Sequence, residues 1–236
     1  MRGDSIAHRV RPADDDSRAD SREWILTVLV VLETIVLFVF IPLAGRTGVP
    51  FALNVVLGVV VVGTVIAVVW PSRIGIAAIV VAAVVEVAAT VLRLGWPSER
   101  TEALDFAAGL LFIVALNGVV GYVVFGPGRV TPHRVLGAVV IYLNIALAFA
   151  LLDRLIQSLV PGAFGPPARV GDTHSIATFV YFSFTTITTG AYGDIIPIDP
   201  FARSATNLES VIGQLFPATL LARLITLELE HRRDRG

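Results

Sequence analysis

The residues best suited to carry chemistry lie together near the C-terminus. An apolar, hydroxyl-rich stretch from Ser175 to Thr188 spans about 14 residues, whereas a helix that crosses a bilayer needs about 20. An irregular segment follows it, Thr188-Thr-Gly-Ala-Tyr-Gly-Asp194. Non-helical backbone at membrane depth is tolerated only where protein buries it or where it lines a water-filled path. A short re-entrant helix with an irregular return therefore predicts a pore.

The rest of the sequence has no grouping of residues that is typical of an enzyme. It contains no cysteine, which excludes a disulfide framework and a thiolate site. It also has no nucleophile–base arrangement and no phosphate-binding loop. The four histidines lack metal-ligand spacing: His8, His133, His174 and His231. We therefore predict a protein that is not an enzyme and that uses no cofactor.

The composition is that of a membrane protein. Hydrophobic residues make up 55% of the chain and charged residues 16%, against about 45–50% and about 25% in soluble proteins. A single soluble core cannot bury this much apolar surface, so the lipid bilayer is the expected partner. The formal net charge of -1 gives no support to a nucleic-acid partner.

Apolar stretches divide the chain into six predicted transmembrane helices, separated by segments that contain Pro, Gly or Arg. The predicted fold class is an all-α membrane protein, with a re-entrant pore helix and filter loop between helices five and six. Residues 1–22 are polar and are predicted to form a disordered cytoplasmic tail. The six helices are predicted at about Trp24–Leu43, Phe51–Trp70, Ile74–Leu94, Ala103–Phe125, His133–Leu159 and Phe201–Glu230.

The distribution of arginine predicts the orientation in the membrane. Arginine is more frequent in the segments that lie inside when the N-terminus is cytoplasmic, and six spans bring the C-terminus to the same side. We therefore predict a multi-pass protein of the cell membrane with both termini in the cytoplasm. The predicted inner arginines are Arg2, Arg9, Arg11, Arg18, Arg22, Arg73, Arg129, Arg134, Arg232, Arg233 and Arg235, and the outer ones are Arg46, Arg93, Arg100, Arg154, Arg169 and Arg203.

The segment Tyr181-Phe-Ser-Phe-Thr-Thr-Ile-Thr-Thr-Gly-Ala-Tyr-Gly-Asp194 resembles the pore helix and selectivity filter of the tetrameric potassium channels. Ile195-Ile-Pro197 and Phe201-Ala-Arg-Ser204 continue the resemblance. It covers residues 175–230 without a gap, while residues 134–160 match only as a generic outer pore helix. The implied domains are a four-helix domain at 23–128, a potassium-channel-like pore domain at 129–231 and a cytoplasmic tail at 232–236.

The resemblance implies a role for each residue of this segment. A potassium filter replaces the hydration shell of K+ with rings of backbone carbonyls from four subunits, which implies a homotetramer. The implied K+ ligands are the carbonyls of Thr189, Gly190, Ala191 and Tyr192 and the Thr189 hydroxyl, with Gly193 completing the filter. The implied filter support comes from Thr188, Asp194 and Tyr181, the last two as a hydrogen-bonded pair.

Two positions depart from the family pattern Thr-Thr-Val-Gly-Tyr-Gly-Asp. Gly190 stands where the family has Val, and Ala191 stands where it has Gly. Ala191 brings a Cβ to a position where left-handed backbone is expected, at a cost of about 1–2 kcal/mol. Potassium conduction is the leading prediction. The alternatives are a weakly selective cation channel and a non-conducting channel-like membrane subunit.

The last predicted helix contains two residues that indicate a bend. By resemblance, Gly213 falls near the gating hinge of potassium channels, and Pro217 removes a backbone hydrogen bond four residues later. We predict a gating hinge at Gly213 and Pro217. Small residues and prolines are also common in membrane helices without such a role.

The other helices carry few signals of regulation. The predicted fourth helix has no arginine within its span, so a strongly voltage-driven gate is not expected. Glu33 and Glu86 lie inside the first and third helices, where they could pair with Arg93, sense protons together or contact another subunit. Only a short charged tail follows Glu230, so control by a ligand-binding domain is expected from a separate regulatory subunit.

Overall fold

The computed structural model describes residues 27–28, 30–41, 43, 73–125, 132–165, 176–190 and 192–233. Regular structure in these ranges is helical, apart from an isolated bridge between Phe164 and Pro197. This agrees with the predicted all-α class. The helices are a π-helix at Val36–Phe40 and the α-helices α1 (Arg73–Gly95), α2 (Glu99–Val124), α3 (Pro132–Leu159), α4 (Ile176–Ile187) and α5 (Pro200–Arg233).

Within the described ranges, three helices are long and apolar enough to cross a membrane, and they are the third, fourth and fifth predicted ones. The helix Val30–Phe40 is apolar but shorter, and α5 is longer and more polar. The predicted second helix, the tail at 1–22 and the domain boundary at 128 lie outside the described residues, so the number six stays a prediction. The three spans are Ala77–Gly95, Glu99–Tyr122 and Val135–Leu159.

The helix α3 contacts three of the other α-helices. The helices α2, α4 and α5 all pack on it, α1 packs on α2, and α4 packs on α5. Apolar residues of α2 recur every three or four positions, which aligns them on one face of the helix. This stripe meets small and branched residues of α3 in one buried cluster: Ile113, Leu116, Val120, Val124, Ala138, Val140 and Ile141.

A capping box fixes the short turn between α1 and α2. The Thr101 amide donates to Ser98 Oγ over 3.2 Å, and the Ser98 amide donates to Thr101 Oγ1 over 2.9 Å. Each side chain thereby satisfies a donor that a helix N-terminus leaves without an intrahelical partner. The helix α2 therefore starts within three residues of the end of α1, and the two helices form a hairpin.

A buried ion pair ties α3 to α2. Arg154 pairs with Glu102, and its guanidinium lies 4.7 Å from the centre of the Phe106 ring. The Arg154 side chain is 2% exposed and lies within α3, and its assignment to the outer side of the membrane stays a prediction. Removing one partner of a buried pair leaves an uncompensated charge, which makes this contact costly to break.

A second pair joins α1 to α2. Arg93 Nε lies 3.2 Å from Asp105 Oδ2, and the Thr90 hydroxyl donates to Asp105 Oδ1 over 2.7 Å. The sequence analysis considered Glu33 and Glu86 as partners of Arg93, but among the described residues the ion pair of Arg93 is with Asp105. The Arg93 side chain is 38% exposed and the Asp105 side chain 10%, so in this pair the acid is the buried member, whereas in the pair with Glu102 it is the arginine.

Replacing Glu102 with Gln is expected to lower the free energy of unfolding by about 2–3 kcal/mol, because Arg154, whose side chain is 2% exposed, loses Glu102 as its ion-pair partner. The matched control Asp105→Asn should cost at most about 1 kcal/mol, because Arg93, which loses its ion-pair partner there, is 38% exposed. Thermal unfolding of the purified full-length protein in detergent measures both changes. Equal losses in the two variants would contradict the prediction.

Candidate functional site

The predicted pore segment begins with α4, which is 12 residues long. It lies between α3 and α5 and packs on both. Its buried residues recur at helical spacing, so one side of the helix faces the rest of the chain. They are Phe179, Val180, Phe182, Ser183, Thr186 and Ile187.

The C-terminus of α4 is closed by a Schellman motif. The Gly190 amide donates to the Thr185 carbonyl over 2.7 Å, and the Thr189 amide donates to the Thr186 carbonyl over 2.9 Å. These are the two bonds that define the motif. Thr189 occupies its left-handed position with a φ of 57°, where glycine is the usual residue. A side chain there costs about 1–2 kcal/mol, so neighbouring contacts must hold Thr189 in place.

The last four carbonyls of a helix have no intrahelical partner, and in α4 all four find one. Besides the two bonds of the Schellman motif, Thr188 donates to the Phe184 carbonyl from its amide over 3.3 Å and from its hydroxyl over 2.6 Å. The Tyr142 hydroxyl of α3 donates to the Ile187 carbonyl over 3.2 Å. The direction in which the chain leaves α4 is therefore determined by hydrogen bonds.

The inner face of α5 meets this end of α4 at Gly213. A Cβ on Gly213 would collide with the Ile187 carbonyl oxygen and would lie 2.8 Å from its carbon. The absence of a side chain is thus required by the close approach of the two helices. The next residue, Gln214, donates from Nε2 to Thr189 Oγ1 over 3.1 Å. The helix continues through Gly213 and Pro217, and the predicted hinge at these residues stays a prediction.

The carbonyls of the predicted filter have no hydrogen-bond partner among the described residues. This holds for Thr189, Gly190, Tyr192 and Gly193, all of which are exposed in the single chain. Ala191 lies outside the described ranges. In those ranges no cluster of acidic or histidine side chains could hold a metal ion. The oxygens available here are therefore backbone carbonyls and threonine hydroxyls, which are ligands for a cation that sheds its water.

Aromatic rings pack behind the filter segment, which is the predicted filter at residues 189–193. The Tyr192 ring lies 6.2 Å from the Phe182 ring of α4 at an angle of 17°, and Phe182 in turn meets the Phe164 ring edge-on at 5.4 Å. Phe164 belongs to the loop after α3, and its amide donates to Gln157 Oε1 over 3.1 Å. These contacts connect the outer part of the segment to both α4 and α3.

The Tyr181 hydroxyl lies beside the backbone of Gly193. A Cβ on Gly193 would come within 2.8 Å of it, so a larger residue there would displace the end of the exposed Tyr181 side chain. Neither Tyr181 nor Asp194 makes a side-chain hydrogen bond among the described residues, and both are exposed. The pair between Tyr181 and Asp194 stays a prediction.

The chain returns from the filter segment along the loop that follows α3. The Gly165 amide donates to the Ile196 carbonyl over 2.6 Å, and the Ile198 amide donates to the Ala163 carbonyl over 2.8 Å. Ile195 is 3% exposed and packs in the aromatic cluster. These contacts hold the return segment in place before α5 begins.

An N-cap starts α5. Asp199 Oδ1 accepts the Phe201 amide over 2.8 Å, and Pro200 occupies the first helical position, where its missing amide hydrogen costs nothing. The sequence analysis did not identify this cap, although Asp followed by Pro before a helix is a start signal. The Arg203 guanidinium adds a bond to the Pro197 carbonyl over 3.2 Å.

Two further residues near the site received no role in the sequence analysis. Glu209 of α5 and Ser183 of α4 are fully buried and hydrogen-bonded to each other. A carboxyl group in the middle of a membrane helix is costly, which makes Glu209 a signal that sequence reasoning could have used. No such signal exists for Ser183, because serine is ordinary in membrane helices.

Residues 167–229 match a protein-family model described as an ion channel. The matched range contains α4, the predicted filter and most of α5, whereas α3 and the described part of the loop after it, residues 160–165, lie outside the match. No curated protein and no solved structure matches the chain. The match supports an ion-channel function, and with the apolar helices it supports a membrane protein.

Replacing Gly213 with Ala is expected to lower the free energy of unfolding by about 1–3 kcal/mol, because the new Cβ forces α5 away from the Ile187 carbonyl. The matched control is Gly118→Ala in α2, where a Cβ meets nothing within 4 Å. Alanine favours a helix over glycine by about 0.5–1 kcal/mol, so the control should be stabilised. Thermal unfolding of both variants in detergent makes the comparison. Equal stability of the two variants would show that α5 does not approach α4 this closely.

Proposed function

We propose that this chain forms a homotetrameric ion channel that conducts potassium across the cell membrane through a pore lined by residues 189–193. Both termini lie in the cytoplasm, and a separate subunit supplies any ligand-dependent control. The observation that carries the proposal is that the carbonyl oxygens of Thr189, Gly190, Tyr192 and Gly193, just after the capped end of α4, have no hydrogen-bond partner among the described residues.

Free carbonyls in this location require an external partner. An unsatisfied backbone group costs several kcal/mol in apolar surroundings, so non-helical backbone at membrane depth must be buried in protein or line a path for water or ions. The segment is exposed in the single chain, so other copies of the chain must surround it. Four copies around an axis would turn each exposed carbonyl into a ring of oxygens able to replace the water around K+.

The direction of α4 favours a cation at its end. The C-terminus of a helix carries a partial negative charge of about half an elementary charge, and the carbonyls of residues 184–187 lie at this end. In a tetramer, four such helix ends would surround the inner end of the pore. This arrangement stabilises a cation and disfavours an anion, which supports cation conduction.

Gly190, which stands where the potassium channels have valine, is compatible with the Schellman motif that ends α4. A Cβ at Gly190 would lie 3.2 Å from the Thr185 carbonyl oxygen, which is the oxygen that accepts the Gly190 amide. A branched side chain there would press on the Schellman motif. Glycine at residue 190 therefore avoids crowding. The backbone strain expected of the variant filter is then attributed mainly to Ala191.

The gate is not expected to respond strongly to voltage. Residues 101–124 of α2 contain no arginine, and a voltage sensor needs several charges that move through the membrane field. Bending of α5 at Gly213 and Pro217 is the proposed gating motion.

Reconstitution of the full-length protein in liposomes tests the proposed function. Potassium flux that exceeds sodium flux by at least tenfold is expected, with protein-free liposomes as the control. Equal potassium and sodium fluxes would replace the proposal with a weakly selective cation channel. Absence of flux for both ions would indicate a non-conducting channel-like subunit.

Variants of the predicted filter distinguish the effect of Gly190 from the effect of Ala191. Ala191→Gly removes a Cβ from a position where left-handed backbone is expected, and we expect it to raise potassium selectivity or flux by about tenfold, corresponding to about 1–2 kcal/mol of relieved strain. Adding Gly190→Val to this variant should reverse part of the gain, because of the contact with the Thr185 carbonyl. A gain in the double variant beyond that of Ala191→Gly would show that the missing valine is the main defect.

A further inference from the structure

A polar contact joins three helices behind the filter segment. Ser183 of α4 contacts Oε1 of Glu209 on α5, and the same hydroxyl lies 2.5 Å from the Ala146 carbonyl oxygen of α3. Ser183 and Glu209 are both 0% exposed in the single chain. Their environment is therefore set by their own chain, whatever surrounds it in an assembly.

The number of available hydrogens decides the protonation of Glu209. The Ser183 hydroxyl has one hydrogen to donate, yet it contacts two oxygens, and the Ala146 carbonyl can only accept. A carboxylate at Glu209 can also only accept, so one of the two contacts would lack a hydrogen. A neutral Glu209 donates to the Ser183 oxygen while the Ser183 hydroxyl donates to Ala146. Only the protonated acid gives each of the two contacts a hydrogen of its own.

The surroundings of Glu209 offer nothing to balance a negative charge. Among the described residues, the titratable groups that interact with it are Asp153 and Tyr142, both on α3. The helix α4 faces it with Ser183, which does not titrate. Asp153 is 0% exposed and its two carboxylate oxygens have no partner in the described ranges. No basic group among the described residues interacts with Glu209, so a carboxylate here would be an unpaired buried charge.

Small residues of α3 allow the contact between Ser183 and Glu209 to form. Ala146 and Ala150 of α3 are both 0% exposed, and their lack of long side chains lets α4 and α5 approach α3 at this level. On α5, Ala202, Thr206, Glu209 and Gly213 recur at helical spacing and are all buried. Glu209 and the close contact at Gly213 thus lie on the same face of α5, about one helical turn apart.

We propose that Glu209 is a positioning residue that, as a neutral acid, donates to Ser183 and holds α4 against α3 and α5. Ser183 precedes Thr189 by less than two helical turns, so the contact fixes the helix that leads into the filter segment. Loss of the proton leaves the single Ser183 hydrogen to serve two acceptors, so the contact with Ala146 or the contact with Glu209 loses its hydrogen, and it adds a buried negative charge; both changes loosen α4. The link to ion conduction rests on the proposed function, whereas the protonation and the packing of α4 do not.

Infrared spectroscopy of the full-length protein in lipid tests the protonation directly. The carbonyl stretch of a buried protonated carboxyl group is expected at neutral pH and should decrease as the pH is raised. The band should lose the intensity of one carboxyl group in Glu209→Gln, since Asp153 is also buried and can contribute to it, and it should keep its full intensity in Glu99→Gln, a matched control at an exposed acid of α2. A band that is unchanged in Glu209→Gln would overturn the proposal.

Hydrogen–deuterium exchange tests the positioning role. Raising the pH should increase the exchange of residues 176–187 by at least tenfold beyond the intrinsic base-catalysed rate in the wild-type protein. In Glu209→Gln this extra increase should be absent, because the amide still donates to Ser183 and does not titrate. Ser183→Ala should show faster exchange at every pH, since the acceptor is gone. The same extra increase in wild type and Glu209→Gln would overturn the proposal.

Ion flux provides the functional measurement. The potassium flux of the wild-type protein should decrease reversibly as the pH rises through the range in which the infrared band disappears, and the decrease should be absent in Glu209→Gln. A pH dependence shared by wild type and Glu209→Gln would contradict a role of Glu209 in conduction. If the wild-type protein carries no flux, the proposed function fails, and the infrared and exchange measurements still decide the role of Glu209.

Discussion

The C-terminal end of α4 is the constraint on which the rest of the pore segment depends. A helix that ends inside a protein must find partners for four carbonyl groups, because each one left unsatisfied in apolar surroundings is costly. In α4 the partners come from the following turn and from Tyr142 of α3. Each partner restricts a different element. The turn at Thr189 determines the direction of the filter segment, and the hydrogen bond from Tyr142 fixes the position of α3 beside the end of α4. The Ile187 carbonyl lies so close to α5 that only glycine fits at residue 213.

The polar contacts elsewhere in the chain converge on α3. Arg154 connects α3 to α2, the loop after α3 pairs with the return from the filter, and the Ala146 carbonyl meets Ser183 of α4. Apolar packing alone orients helices loosely in a membrane, because lipid tails solvate apolar side chains as well as another helix does. Hydrogen bonds and ion pairs have defined directions and so select one arrangement. The filter segment is therefore positioned from three sides by contacts whose geometry is specific.

Much of the fold could be predicted, since its signals are local. The spans of α1, α2 and α3 were predicted within a few residues of their observed ends, because a bilayer requires an unbroken apolar run of defined length. The shortness of α4 was visible for the same reason. The N-cap at Asp199 was missed although its signal is local. The pairing of Arg93 with Asp105 was not predicted, because the rotation of α1 against α2 decides which carboxylate reaches Arg93, and that rotation is not encoded in spacing along one helix.

The sequence by itself determined the all-α class, the spans of α1, α2 and α3 and the position of the short helix α4. These depend on hydrophobic length and on residue types within one stretch of chain. Only the tertiary structure decided why residue 213 is glycine, which carbonyls remain free and where Glu209 finds its partner. Each of these depends on distances between helices that are far apart in sequence. A clash at Gly213 or a hydrogen bond at Ser183 exists only once α3, α4 and α5 have packed, because no local pattern records how closely two helices approach.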